Sequence, residues 1–186
     1  MATKPIDELC SAAELGDIEK IGAILREETC DVNDLDLNGN TPLEQAIWFS
    51  QAESVKELLF RGANPNMEIG SNDDFPYNGN TVLGLAVVLN DANTVEALLK
   101  GGANPNHKHP EQKDYPLHAA SSQDREHLIK LLIKHGADAT LKNKLGKLPW
   151  ELPGFPTVKV MLRNAYEAKK IKKAIAQLSK SNPLEI

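Results

Sequence analysis

Three stretches of the chain carry apolar residues at helical spacing. Val55, Leu58 and Leu59, then Val95, Leu98 and Leu99, then Leu128, Leu131 and Leu132 all sit at i, i+3, i+4. That spacing marks one buried stripe of a short helix. Each run stops at a glycine: Gly62, Gly102 and Gly136 open GANPN (62–66), GANPN (102–106) and GADAT (136–140). A glycine just past a helix takes the left-handed conformation that ends it. Pro65 and Pro105 lack the amide hydrogen needed to prolong it. Repeated punctuation points to a repeated unit.

The rest of the unit lies upstream. Residues 39–46 read GNTPLEQA, 79–86 read GNTVLGLA, 115–120 read YPLHAA and 146–152 read GKLPWEL. Thr41 is a favourable N-cap and Pro42 a favourable first helical residue. The register residues Leu43, Leu83, Leu117 and Trp150 are 40, 34 and 33 residues apart. Each unit therefore predicts a turn, a short helix, a second helix, a glycine stop and an extended return. Taken together these motifs resemble the ankyrin repeat, with its 33-residue period and T-P-L-H-x-A signature. The resemblance implies an all-α solenoid of stacked helix-turn-helix units with hairpin-like loops. We place the units at about 5–35, 36–75, 76–109, 110–142 and a degenerate 143–156. LCSAAELGD (9–17) and CDVND (30–34) read as an N-terminal capping version. Helices this short are marginal alone, so each unit must bury its stripe on the next.

The end of the chain departs from the pattern. PGFP (153–156) sits where a first helix should run on, which predicts a cut to about one turn. Beyond it Val158, Met161, Leu162, Ala165, Ala168, Ile171, Ile175 and Leu178 keep a helical spacing. We expect one long amphipathic helix over 157–180 that caps the last repeat, with Lys169, Lys170, Lys172, Lys173 and Lys180 mostly on its wet side. A membrane-surface helix or a nuclear-localisation patch at KKIKK is the weaker alternative.

Composition narrows the class. The 186 residues are 41% hydrophobic, enough for a core. No run of 18 apolar residues occurs, so no membrane span is expected, and MATKPIDELC has no secretory pattern. Cys10 and Cys30 do not make a disulfide framework; we read two reduced thiols in a cytoplasmic protein. The nucleus, or a host cytosol if the chain is a bacterial effector, are the other compartments considered. Charge is lopsided: residues 1–106 hold 6 Lys/Arg against 18 Asp/Glu (net −12), and 107–186 hold 15 against 8 (net +7). Such ends attract different partners. The basic half has few aromatics and no nucleic-acid motif, so nucleic acid is not expected.

No catalytic, cofactor or metal site is legible. There is no G-x-S-x-G, P-loop or H-E-x-x-H. His107 and His109 (HKH) lack the companions that zinc needs. The resemblance makes His118, in PLHAA, a structural histidine. It also implies that partners touch the turn tips and the ends of the first helices. Those ends are Glu14 and Leu15, Trp48 and Phe49, Val88 and Leu89, and Ser122 and Gln123. Leu15, Trp48, Phe49, Val88 and Leu89 then form an apolar strip, a mark of interaction surfaces. Trp48 and Phe49 also have a reading as core, tucked under a neighbouring turn. Asp36 lies on one tip. The 66–80 connection is about seven residues longer than the period and sets Asp73, Asp74 and Tyr77 beside that strip, either as a binding loop or as a tolerated insertion. The leading expectation is a non-enzymatic adaptor, monomeric by itself, taking a protein or peptide with apolar anchors flanked by Lys or Arg. The alternatives are an enzyme subunit or effector with cryptic activity, and a substrate for asparaginyl hydroxylation at Asn66 and Asn106.

Overall fold

A computed structural model describes residues 4–69, 81–109 and 114–181, with side chains as far as 177. Eight short helices come in pairs: α1 (Pro5–Leu15) and α2 (Ile18–Arg26), α3 (Pro42–Trp48) and α4 (Ala52–Phe60), α5 (Val82–Val88) and α6 (Ala92–Lys100), α7 (Pro116–Ser122) and α8 (Glu126–Lys134). A single 3-10 turn, Pro149–Glu151, and a long helix α9, Pro156–Ser181, follow. First helices α1, α3, α5 and α7 stack into one layer, and second helices α2, α4, α6 and α8 into another. The 3-10 turn continues the first layer, while α9 packs on both it and α8. Among the described residues there is no strand, only one antiparallel bridge between Glu68 and Thr81. The all-α solenoid with a long C-terminal helix is the fold the sequence predicts.

The local signals act as written. Thr41 and Glu44 form a reciprocal capping box: the Glu44 amide donates to Thr41 Oγ1 at 3.2 Å, and the Thr41 amide donates to Glu44 Oε2 at 2.7 Å. Gly62, Gly102 and Gly136 have φ of 96°, 94° and 93°, the left-handed stop expected of them. One apolar core runs through the stack, with Leu9, Ile21, Leu43, Ile47, Leu58, Leu83, Leu98, Leu117, Leu128 and Leu132 fully buried along it.

A ladder of asparagines ties unit to unit. Asn33 Nδ2 donates to the Gly62 carbonyl (3.3 Å) while its Oδ1 accepts from the Asn64 amide (2.9 Å). Asn66 bridges to Gly102 (3.3 Å) and Asn104 (2.7 Å), and Asn106 to Gly136 (3.0 Å) and Asp138 (2.7 Å). Both ends of the Asn66 and Asn106 amides are thus committed. The ladder stops at Thr140, whose hydroxyl turns back to Asp138 Oδ1 (2.7 Å) and accepts from Lys173 Nζ of α9 (3.4 Å).

The structure corrects one expectation about α9. Val158 and Leu162 are buried and Met161 and Ala165 partly so, but Ile171 and Ile175 are exposed. Lys169 and Lys173, expected on the wet side, lie 3.9 Å from Asp138. Along this stretch Lys169 and Lys173 are the residues that face the body, and Ile171 and Ile175 are turned away from it. Leu162 and Ile171 are also nine residues apart, about two and a half turns, which puts them on opposite faces.

Candidate functional site

Four equivalent turns build the inner surface. Each first helix ends in a left-handed residue: Gly16 (φ 77°), Ser50 (54°), Asn90 (61°) and Asp124 (54°). The next amide then reaches five residues back. Asp17, Gln51, Asp91 and Arg125 donate to the carbonyls of Ala12, Ala46, Ala86 and Ala120 at 2.8–3.2 Å. Those alanines are buried, and their small size lets the turn close over the helix. The two residues before each left-handed position are therefore held at the same place in every unit. These are Glu14 and Leu15, Trp48 and Phe49, Val88 and Leu89, and Ser122 and Gln123.

The residues expected from sequence fall into three groups. Leu15 and Phe49 are exposed, at 73% and 51%. Trp48, Val88 and Leu89 are half-buried, and Trp48 and Leu89 pack against the core, so these two sit between the groove and the core readings. Asp36 is occupied in its own turn: Oδ1 accepts from the amides of Asn38 (2.8 Å) and Asn40 (2.9 Å), and Oδ2 from Gln45 Nε2 (3.5 Å). Asn143 does the same for Leu145 and Lys147, both at 3.0 Å. Asp73, Asp74 and Tyr77 lie outside the described residues.

Sequence reasoning missed a cleft of about 170 Å³ farther along this surface. Thr81, Gly84 and Val88 form one wall, and His107, His109, Asp114, Tyr115, Ser122 and Gln123 the rest. His107 Nε2 meets Glu68 Oε1 of the preceding loop at 3.2 Å, and the His109 amide donates to the Asp114 carbonyl at 2.8 Å. Lys108 sits 5.8 Å over the Tyr115 ring. The available signal was positional: HKH occupies the same place relative to its helix as the other turn tips. The tips also expose Leu35, Leu37 and Leu145, and the back of the stack exposes Phe60.

Other groups are placed for structure. His118 Nε2 donates to the Lys147 carbonyl at 3.1 Å, and burial holds this imidazole below its usual pKa against the opposing pull of that bond and of Asp114. Cys10 occupies the matching position in the first unit, its thiol 3.8 Å from the Asn40 carbonyl. Burial, with Asp36 and Asp7 adding to it, pushes the Cys10 thiol up to about 12. Cys30 is raised as well, by burial and then by Asp34 and Asp31. A protonated thiol is a poor nucleophile and a poor metal ligand. Among the described residues, no three of His, Cys, Asp and Glu are arranged to hold a metal ion.

Comparison with known proteins agrees with this architecture. A family model for the ankyrin repeat matches residues 38–68, and a model for three copies of the repeat matches 67–143. One similar protein is the human transient receptor potential cation channel subfamily A member 1, 49% identical over 57 residues. That stretch is 30% of this chain and 5% of the channel, so the chain spans a small fraction of that relative. The shared segment is shorter than two repeats of this chain. No helix among the described residues is long and apolar enough to cross a membrane.

Proposed function

We propose a function from one premise: this chain belongs to the ankyrin-repeat family. Ankyrin repeats serve in general as protein–protein interaction modules, and domains built of them are typically non-enzymatic. The finer reading is that this chain is an adaptor whose partner lies across the ends of α1, α3 and α5. Its partner presents aliphatic or aromatic anchors flanked by Lys or Arg.

The observation that carries this is the pair Leu15 and Phe49. Large apolar side chains stand exposed at equivalent positions of adjacent first helices, where the stack has every means to bury them elsewhere. The charge around them favours basic flanks. Glu14 stands next to Leu15, Asp7 and Glu8 lie in the first turn of α1, Glu44 is buried in its capping box, and neither α1 nor α3 has a basic residue. Such fields steer association and select partners more than they add affinity.

The test is a titration of the full chain against a panel of fluorescent peptides carrying Leu, Ile or Phe anchors between Lys or Arg, each paired with a Glu-flanked copy. Basic peptides should bind and acidic copies should not. Phe49→Ala should cost about 2 kcal/mol, as an anchor position does, with the fold intact by circular dichroism. Equal binding of both peptide sets, or unchanged affinity in Phe49→Ala, would overturn the reading.

A further inference from the structure

The distal half of α9 carries exposed apolar positions among several basic ones. Ile171 and Ile175 are each 58% exposed, and Val160, about three turns earlier on the same face, is 59% exposed. Residues 159–177 hold six Lys/Arg (Lys159, Arg163, Lys169, Lys170, Lys172, Lys173) against one acid, Glu167. Lys169 and Lys173 turn toward Asp138, whose carboxyl is pushed up by burial but held lower overall by Thr140 and these two lysines. That leaves Lys170 and Lys172 exposed on the two sides of Ile171. Aliphatic anchors flanked by lysine are the chemistry that the groove at the other end of the same molecule favours.

We propose that the distal half of α9 docks into the first-helix groove of a second copy of this chain. The proposal rests on the groove reading above and names one occupant for it. Charge complementarity selects this partner. The N-terminal half carries net −12 and α1 and α3 have no basic residue, whereas α9 is basic along its length. Two α9 helices side by side would set lysine against lysine, which disfavours a dimer made through α9 alone. Within one molecule α9 cannot reach the groove, because α1 opens the stack and α9 closes it. The contact joins unlike surfaces, so it propagates head to tail into chains or closes into a ring. It replaces the sequence expectation of a monomer by itself.

Sedimentation velocity of the full chain at rising concentration tests this, together with two variants whose changes fall on exposed positions. The wild type should grow in mass with concentration in low salt and return to a single small species in high salt, where screening shortens the reach of its charges to about 3 Å at 1 M. Ile171→Glu, lacking the donor surface, and Phe49→Glu, lacking the acceptor, should each associate at least tenfold more weakly. Mixed in equal amounts, they should form a dimer and nothing larger, since one working contact remains. Lys170→Glu with Lys172→Glu should reproduce the Ile171→Glu result. A wild type of constant mass would overturn the proposal. So would association that Ile171→Glu abolishes but Phe49→Glu leaves intact, because α9 would then bind elsewhere. If self-association is absent while Phe49→Ala still weakens peptide binding, only head-to-tail docking fails. If Phe49 matters in neither assay, the groove reading fails with it.

Discussion

The second unit and the fifth begin with the same instructions and end differently. Thr41-Pro42-Leu43-Glu44 and Leu148-Pro149-Trp150-Glu151 both place a glutamate that accepts from the amide three residues back, at 2.7 Å in each case. Both are preceded by an identical turn, pinned by Asp36 in one and Asn143 in the other. The second unit continues into a seven-residue helix and a nine-residue helix. The fifth stops after one 3-10 turn and then runs 26 residues without a break. The start signals differ only in that Thr41 also accepts from the Glu44 amide, which Leu148 cannot do, so the larger difference lies downstream. Pro153 ends the first helix early, Pro156 opens the second, and no glycine stop ends that one. Asp124 then holds the shortened link by accepting from the Phe155 amide at 2.6 Å. Gly154 makes that approach possible, since a Cβ there would lie 2.6 Å from the same carboxylate oxygen.

The largest expected effect comes from removing the fifth unit's helix. Deleting residues 157–186 takes away buried Val158 and Leu162 and uncovers α8, at a cost of about 3–6 kcal/mol in urea unfolding. Deleting only 174–186 should cost under about 0.5 kcal/mol, since residues 174–177, the ones described there, are exposed. Equal costs for the two deletions would mean the helix packs along its whole length.

Next, Leu58 and Leu162 occupy matching places in α4 and α9, and both are fully buried. Leu58 has a unit on either side, Leu162 on one only. Leu58→Ala should lie at the upper end of about 2–5 kcal/mol and Leu162→Ala at the lower end, because an edge relaxes around its cavity more readily. A reversed order by denaturant titration would break the view of α9 as an edge element.

A smaller effect concerns the ladder. Asn106→Ala removes two inter-unit hydrogen bonds and should cost about 1–2 kcal/mol. Thr140→Ala, at the same position of the fourth unit, loses no inter-unit bond but the long one from Lys173 and should cost less. Similar melting temperatures for the two variants would show that the ladder adds little.

The smallest is a pH effect on the joint between the fourth and fifth units. Burial lowers the pKa of His118 in the folded chain, and its Nδ1 has no hydrogen-bond partner among the described residues to receive a second proton. The unfolded chain then binds that proton more readily, so stability is fully present above the ordinary imidazole value of about 6.5 and is lost as pH falls below it. Urea midpoints of the wild type should fall more across that window than those of His118→Asn. Parallel curves would show that His118 does not titrate differently on folding.

Much of the fold was legible because each unit is locally over-specified. Glycine stops, proline starts and the i, i+3, i+4 stripes all act within a dozen residues, and each was read at its place. The candidate site was legible as positions only. The left-handed turns at Ser50, Asn90 and Asp124 fix where Trp48, Phe49, Val88 and Leu89 stand, but how far each is covered depends on the neighbouring unit. Trp48 and Leu89 came out half-buried against the core, while Leu15 and Phe49 did not. Asp36 read as a surface charge, and its role in its own turn is a matter of backbone geometry that no spacing reveals. The cleft at His107 and Tyr115 joins the fronts of two units, and its one signal in the sequence is the position of HKH at a turn tip.

The sequence by itself determined the repeat, the helices, their ends and the lopsided charge, because propensity, capping and periodicity act between near neighbours along the chain. Only the tertiary structure decided which side of α9 meets the body. The apolar spacing runs from Val158 to Ile175 but drifts around the helix, and burial depends on which face has a neighbour. The face that buries Leu162 meets the body, and the opposite face leaves Ile171 in water, beside lysines, at the far end of the stack from the acidic helices α1 and α3.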